Sequence, residues 1–340
     1  MKSAAKTLRN LGTFLALTLI IAAMIVYPSH SQDFLHVAVD TEITNYHYRQ
    51  LVKIYGNVTY DEEPVSEGLV AIQVQDPTGQ TIALRTVPAN ATPSHDGTIE
   101  IISFYSCDMG GQPKSSFRKN TVAYFNITVR NGGPVSRTYT LTLNPHDVDS
   151  TPFFLYIQPM TTPLPPGYAH SHMLPIPIED DWISTGPAVA YANLFTDLPS
   201  AGGYPYDAEK SAAFVITTTT GLGTLAPESS EIQLGPTYNS FETSVRLSPE
   251  IPFGTCNIIV RASSLGSTAF SSETFIRLFE ERGDIIFNRK IDIYDVVEVA
   301  SAYGKTGGHP KWNPEADLDE NAEVDIYDIV LVAGKYGMEY

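Results

Sequence analysis

The chain has 340 residues, of which 43% are hydrophobic and 17% charged, and its formal net charge is −17. This apolar content is typical of globular domains rather than of disordered chains, and the length leaves room for two or three domains. The acidic balance argues against nucleic-acid binding, because a protein that contacts phosphates needs a basic surface.

The first segment of the chain has the pattern of a secretory signal. Three basic residues within the first nine positions precede an apolar run at 11–26, and small residues follow at 29–31. This order of charge, apolar core and small residues predicts that residues 1–31 are a signal peptide that is removed. The alternative is an uncleaved membrane anchor through residues 10–27, because the run approaches spanning length. Both interpretations predict a secreted or cell-surface protein.

Two further features bear on export. Asn57, Asn90 and Asn126 each begin an Asn-x-Ser/Thr sequon, which is an acceptor for N-linked glycans where the host attaches them. The chain has two cysteines, Cys107 and Cys256, far apart in sequence. We expect buried free thiols, with a disulfide between them as the alternative in an oxidising compartment.

From residue 32 to about 280 the sequence alternates short β-branched runs with turn residues. The stretch "QLVKIYGNVTYDEEPVSEGLVAIQVQDPTGQTIALRTV" shows this alternation, with turns at 60–66 and 76–79. The stretch "NTVAYFNITVRNGGPVSRTYTLTLNP" predicts a hairpin whose strands are joined at 131–134. Short strands at this spacing favour antiparallel β-sandwiches over α/β units.

Two composition shifts suggest domain boundaries within this β region. The stretch "VPANATPSHDG" at 87–97 separates a predicted domain at 32–98 from one at 99–217, and a threonine run marks the second boundary. The remaining piece, 218–280, is either a separate β domain or the last strands of the second sandwich. We therefore predict a mainly β chain of tandem Ig-like antiparallel β-sandwiches. The middle piece has Cys107-Asp108 near its start and "YANLFTDLPSAGGYPYDAE" near its end, and with these features it resembles β modules of archaeal cell-surface proteins.

A tandem repeat occupies the C-terminal region. "GDIIFNRKIDIYDVVEVASAYG" (283–304) aligns with "ADLDENAEVDIYDIVLVAGKYG" (316–337) at an offset of 33 residues. Each copy continues with apolar or small residues at the spacing of one helical stripe. These residues are Ile293, Val296, Val297, Ala300 and Tyr303 in the first copy, and Ile326, Ile329, Val330, Ala333 and Tyr336 in the second. A glycine ends each predicted helix.

The loop before the second helix has the spacing of a calcium-binding loop. Its expected ligands are Asp317, Asp319 and Asn321 at positions 1, 3 and 5, the Glu323 carbonyl at 7, Asp325 through water at 9, and Asp328 at 12. Hard oxygen donors at this stagger favour calcium over zinc, and their mutual repulsion predicts that binding and folding are coupled. The alternative is a solvated acidic turn.

The loop before the first helix fits the same frame less well. Its matching positions are Asp284, Asn288, the Lys290 carbonyl, Asp292 and Asp295. Ile286, however, takes the third position, and Arg289 takes the sixth, where a turn glycine is expected; Ala322 is the sixth residue of the second loop. We therefore expect one calcium site in the second loop and a weak or vacant site in the first.

With both loops described, residues 281–340 resemble a type I dockerin, a module made of two calcium-loop-and-helix repeats. The resemblance implies a small α-helical domain that docks to a cohesin-like partner through the residues that begin each helix. These residues are Ile293 and Tyr294 in the first copy, and Ile326 and Tyr327 in the second. Because both copies carry the same Ile-Tyr pair, the resemblance implies that the partner binds in either of two orientations. The alternative is that they pack within the chain, so that the repeat is only a calcium-stabilised intramolecular cap.

The rest of the chain shows no established catalytic motif, and we expect a non-enzymatic protein. His170 and His172 are too few for a zinc site and are expected to be solvated strand residues. The acidic stretch 179–181 beside Trp182 lacks the separation of a glycosidase carboxylate pair. Because dockerins are often attached to enzymes of polysaccharide metabolism, the alternative functions are a polysaccharide-processing enzyme and a carbohydrate-binding protein.

Overall fold

The computed structural model describes residues 35–47, 50–89, 98–180, 182–218, 240–264, 266–278, 281–306, 309, 311–319 and 321–339. Within these residues the chain is mainly β, with several sheets. The predicted signal or anchor lies outside the described residues, as does the sequon residue Asn90. None of the described helices is long and apolar enough to span a bilayer.

Two sheets enclose the first of the two large apolar cores, and we call this unit the first sandwich. One sheet contains β1 (Leu35–Thr41), β3 (Leu51–Tyr60) and β15 (Ser240–Arg246) in this order, with β4 (Glu63–Pro64) beside β3. The other has the order β2 (Asn45–Tyr46), β17 (Ser267–Arg277), β16 (Gly254–Ser264), β5 (Leu69–Gln75), β6 (Thr81–Pro88). Alternate residues of both sheets point into the shared core, among them Val37, Ile54, Val74, Ile258 and Phe275.

The intervening segment forms a second sandwich around the other large core. One sheet has the order β11 (Tyr156–Leu164), β10 (Arg137–His146), β13 (Gly186–Phe195), β14 (Lys210–Thr217), β8 (Ser116–Arg118). The other has the order β12 (Ala169–Ile178), β9 (Thr121–Asn131), β7 (Ile99–Cys107). Their core includes Phe125, Leu141, Ile176 and Phe214.

The last β segment belongs to the first sandwich, which differs from both sequence expectations for 218–280. Residues 240–246 of β15 pair antiparallel with β3, and residues 257–263 of β16 pair with β5. The first sandwich is therefore discontinuous in sequence, and the second sandwich is inserted between its two halves. Alternation identifies a strand and its buried face but does not specify its partner, because every such strand offers the same ladder of N–H and C=O groups.

The hairpin predicted across 131–134 is wrong. β9 pairs with β12 and β7, whereas β10 pairs with β11 and β13, so this turn carries the chain from one sheet to the other. The side-chain nitrogen Nδ2 of Asn131 stabilises the crossing by donating to the Val135 carbonyl at 2.8 Å and to the Leu164 carbonyl at 2.7 Å. A Gly- and Pro-rich turn has the same composition in a hairpin and in a sheet-to-sheet crossing.

The two sandwiches contact each other through a mixed apolar and charged interface. Ala71 and Leu84 of the first sandwich pack against Phe195 of the second, and all three are fully buried. Beside them, Arg85 Nη2 lies 2.8 Å from Glu209 Oε1, with both side chains largely buried. The Arg85 guanidinium also stacks 3.7 Å from the centroid of the Tyr191 ring.

The C-terminal region contains α1 (Ile293–Ala302) and α2 (Ile326–Gly334), which share a small core with the loops before them. The buried face of α1 consists of Asp295, Val299 and Ala302. The stripe that the sequence singled out is instead mostly exposed. Asp295 occupies the inner face because its carboxylate bonds to backbone amides of the preceding loop, which turns the neighbouring apolar positions toward solvent.

Candidate metal centre

Three aspartates of the second loop converge on one point. Asp317, Asp319 and Asp328 each offer a carboxylate oxygen, and these oxygens lie within 4.8 Å of one another. Asp317 and Asp328 are buried, whereas Asp319 is exposed at the mouth of the cluster. Three convergent carboxylates supply only hard oxygen donors, and this donor set fits calcium, which takes about six to eight oxygen ligands.

Hydrogen bonds from the backbone hold two of these carboxylates in place. Asp317 accepts from the amide of Asn321 at 3.1 Å and from that of Ala322 at 2.9 Å. Asp328 accepts from the amide of Leu318 at 2.6 Å. Ala322 has φ 69°, so the sixth position of the loop adopts the left-handed conformation for which a glycine was expected.

The same loop leads directly into α2. Asp325 is the N-cap residue and accepts from the Tyr327 amide at 2.7 Å, while Asp328 Oδ2 accepts from the Asp325 amide at 2.7 Å. Asp328 therefore belongs both to the carboxylate cluster and to the capping box of the helix. Asn321 accepts from the amide of Glu323 at 2.8 Å. The side-chain nitrogen of Asn321 also donates to the clustered Asp319 at 3.0 Å, whereas the side chains of Glu323 and Asp325 are not among the three convergent carboxylates.

The carboxyl of Asp328 has a raised pKa. Burial is the main cause, because removal from water disfavours the charged form, and the charge of nearby Asp319 acts in the same direction. Hydrogen bonds from three backbone amides oppose the rise. A divalent cation among the three carboxylates would relieve the repulsion between Asp319 and Asp328, so the electrostatics of the site also fit such an ion.

The first loop reproduces this geometry except at one position. Asp284 accepts from the amides of Asn288 at 3.0 Å and Arg289 at 2.7 Å, and Asp295 accepts from that of Ile285 at 2.7 Å. Arg289 has φ 67°, matching Ala322. The third position, however, holds the exposed apolar side chain of Ile286.

The other predicted residues of the first loop have local roles. Asp292 caps α1 by accepting from the Tyr294 amide at 2.8 Å. The Lys290 side chain lies 2.6 Å from Glu339. With an apolar residue at the third position, the first loop lacks the third carboxylate that the second loop has in Asp319.

The two repeats are interlocked. Each loop forms a β-bridge with the segment after the other helix, Lys290 with Glu339 and Thr306 with Glu323. Lys290 and Glu323 are 33 positions apart, as are Thr306 and Glu339, and 33 is the offset of the sequence repeat. The internal symmetry predicted from sequence is therefore present in the backbone pairing of the described residues.

The predicted partner-binding residues lie on the surface. Ile293 and Tyr294 are 52% and 65% exposed, and Ile326 and Tyr327 are 52% and 66% exposed. Each pair continues into further exposed apolar residues that we had not singled out as partner-binding: Val297 and Tyr303 on α1, and Val330 and Tyr336 on α2. The signal that could have identified them is their recurrence at the same positions of both copies.

The remaining candidates have structural surroundings. His172 is buried and its Nε2 lies 2.8 Å from Tyr139 Oη, so the expectation of a solvated histidine is wrong for this residue; a strand face that reads as polar can still point inward. Trp182, the aromatic residue beside the acidic stretch, is part of the second core, and its neighbour Asp181 lies outside the described residues. Cys107 and Cys256 are buried and not bridged.

Comparisons with known proteins identify no family. No family model matches the chain, and no curated protein matches it. The C-terminal domain of wzt is similar at a TM-score of 0.31 and 11% identity, over 40% of this chain and 84% of that one. A β-glucosidase from Erythrobacter marinus is similar at a TM-score of 0.27 and 13% identity, over 42% of this chain and 19% of that one. The CARDB domain of a Pyrococcus furiosus protein is similar at a TM-score of 0.23 and 8% identity, over 36% of this chain and 96% of that one. Similarities this low transfer no function.

Proposed function

We propose that residues 281–340 are a dockerin-type, calcium-dependent docking module carried by an exported, non-catalytic β protein of the cell surface. The observation that carries this proposal is the convergence of Asp317, Asp319 and Asp328 within 4.8 Å, at the start of a helix whose first residues are exposed and apolar. Oxygen ligands and a presented apolar surface are the two parts that such a module needs.

The geometry suggests how calcium would act on the docking surface. Asp328 belongs to the carboxylate cluster and also bonds to the amide of the N-cap residue Asp325. A bound cation offsets the repulsion among the carboxylates, and this stabilises the loop and the first turn of α2 together. Ile326 and Tyr327, which form that turn, would then be held in one conformation for the partner.

The proposed partner is a cohesin-like protein module. The exposed Ile-Tyr pairs favour intermolecular docking over the alternative of an intramolecular cap, because a cap would bury them. Their matched exposure in the two copies supports binding in either of two orientations. The enzymatic alternative has less support, because Trp182, the aromatic residue beside the acidic stretch 179–181, packs into the second core.

Calcium titration of the full chain by calorimetry tests the metal site. We expect one site in the wild type and its loss in Asp319→Ala. We expect a second site in Ile286→Asp, which completes the three-carboxylate pattern in the first loop. Glu63→Ala, which removes an exposed acid of β4, is the control and should titrate like the wild type.

The absence of calcium heat in a folded wild-type chain, or an equal response in Asp319→Ala, would contradict the assignment. Binding of the calcium-loaded chain to immobilised cohesin modules tests the docking half. Loss of binding in a variant with all four Ile and Tyr residues replaced by Ala, with calcium binding retained, would support it. A failure to bind any cohesin would remove that partner class.

A further inference from the structure

Phe287 is the fourth residue of the first loop, and its backbone is strained. Its φ is 56°, in the left-handed region that a bulky aromatic residue rarely adopts. Such a conformation destabilises the folded chain and persists only where the surrounding structure compensates for it. The side chain is also half-buried, although it is in a loop of a small module. Both features call for a contact outside the loop.

The contact is with the first sandwich. The rings of Phe287 and His47 are stacked, with centroids 4.0 Å apart and planes inclined by 20°. His47 directly follows β2, the short strand that pairs with β17. Aromatic pairs of this kind stabilise an interface beyond the area that they bury.

The path of the chain brings the two rings together. The amide of Leu278 donates to the Tyr46 carbonyl at 2.8 Å, so the chain leaves the first sandwich beside His47. The connection to the module is also held from the other side, because Lys335 Nζ lies 2.7 Å from Glu281 Oε1 and 2.8 Å from the Arg282 carbonyl oxygen. The segment between the two bodies is short and bonded at both ends.

The two repeats differ in sequence at the residues concerned. The first copy has Ile286 and Phe287 where the second has Asp319 and Glu320. We infer that the first loop is an attachment surface for the first sandwich rather than a metal site, and that stacking of Phe287 on His47 fixes the C-terminal module against that sandwich within the same chain. This contact does not depend on calcium in the second loop.

The attachment has a consequence for docking. It occupies the loop of the first repeat but not the helix starts, which remain exposed in both copies. The module is thus held in one orientation by one loop, while both Ile-Tyr pairs stay accessible to a partner.

Native-state proteolysis of the full chain tests the inference. The probe is the rate of tryptic cleavage after Arg282, followed by mass spectrometry, in wild type, His47→Ala, Phe287→Ala and the double variant. If the stack holds the module down, each single variant is cut about two- to ten-fold faster than the wild type. The double variant is then cut no faster than Phe287→Ala, because the two residues share one contact. Tyr168→Ala, which removes an exposed ring of the second sandwich, is the control and should not change the rate.

His47→Ala lies outside the module and therefore reports on attachment even if Phe287→Ala unfolds the first loop. An unchanged cleavage rate in His47→Ala would overturn the inference. So would a double variant whose rate increase equals the product of the two single increases. All rates are measured in chelator. If His47→Ala and Phe287→Ala act non-additively on cleavage but the chain binds no calcium in the titration, the attachment stands and the proposed function is overturned. If the chain binds calcium but the two substitutions act independently, the proposed function stands and the attachment is overturned.

Discussion

Burial controls the ionisation of several side chains in the second sandwich. The pKa of His172 falls to about 4, mainly because burial disfavours the imidazolium, and the charge of His170 adds to the effect. Burial likewise raises the pKa of its partner Tyr139 to about 12. Both groups are neutral at pH 7, so the hydrogen bond between them joins two uncharged side chains.

This neutral pair predicts an acid-dependent loss of stability. The folded pKa of His172, about 4, lies below the unfolded value of about 6.5, so the unfolded chain takes up the proton first. The contribution of His172 is complete above pH 6.5 and is lost as pH falls toward 4, at about 1.4 kcal/mol for each unit between the two pKa values. As pH falls from 7.5 to 4.5, the unfolding free energy of His172→Gln should therefore decrease less than that of the wild type. Urea unfolding at several pH values in this range measures both.

His146, whose pKa is lowered, and Asp147, whose pKa is raised to about 6, also affect the curve. The difference between variant and wild type isolates His172. His36→Gln, at an exposed position of β1, is the control. Parallel curves for His172→Gln and wild type would contradict the prediction.

At the scale of elements, the loops and helices of the module depend on two backbone requirements. Asp292 and Asp325 cap their helices through side-chain bonds, and Arg289 and Ala322 take the left-handed conformation at the sixth loop position. An alanine pays a steric penalty in that conformation that a glycine does not. The sixth position is therefore a place where the natural residue lowers the stability of the loop.

We expect Ala322→Gly to stabilise the second loop by up to about 1 kcal/mol, because it removes this penalty. Ala300→Gly should have the opposite sign, with a cost of about 1 kcal/mol, because position 300 is an exposed interior site of α1. Hydrogen exchange of the α1 and α2 amides in chelator measures both effects. Slower exchange in α2 for the first variant and faster exchange in α1 for the second are the expected results. A change of exchange rate in the same direction in both variants would show that the left-handed conformation of Ala322 does not destabilise the loop.

The sequence predicted these elements better than it predicted their faces. Both helices and the loops before them could be read from the repeat, because helix capping and turn residues are local properties. The inner face of α1 could not, because burial of the charged residue Asp295 depends on the backbone amides of Ile285 and Ile286, ten and nine positions away. The role of Phe287 was missed for a similar reason, since its partner His47 lies in another body of the chain.

At the scale of the whole molecule, a buried ion pair joins the two sandwiches. Arg85→Ala leaves Glu209 buried without its cation, and we expect a loss of about 3–5 kcal/mol in unfolding free energy. Arg85→Met combined with Glu209→Leu should recover most of it, because neither charge then remains. Arg130→Ala removes the more exposed Arg130–Glu100 pair and should cost about 0–1 kcal/mol. Urea unfolding measures all three, and equal losses for Arg85→Ala and Arg130→Ala would contradict a structural role for the interface.

The arrangement of domains was the part least accessible to sequence. Turn-rich boundaries near 98 and 217 were visible as changes in composition, but the pairing of β15 with β3 spans the entire inserted sandwich. Long-range pairing is chosen by the fit of whole faces, and a single strand carries little of that information.

The discontinuity of the first sandwich also determines how the molecule carries mechanical load. Its described portion begins at β1 and, after the insertion, leaves through β17, which precedes the C-terminal module. Tension between residue 35 and that module is therefore borne by the ladders of one body only. The inserted sandwich is not part of the ladder that joins β1 to β3, so shearing these two strands breaks none of the backbone pairs within the insertion.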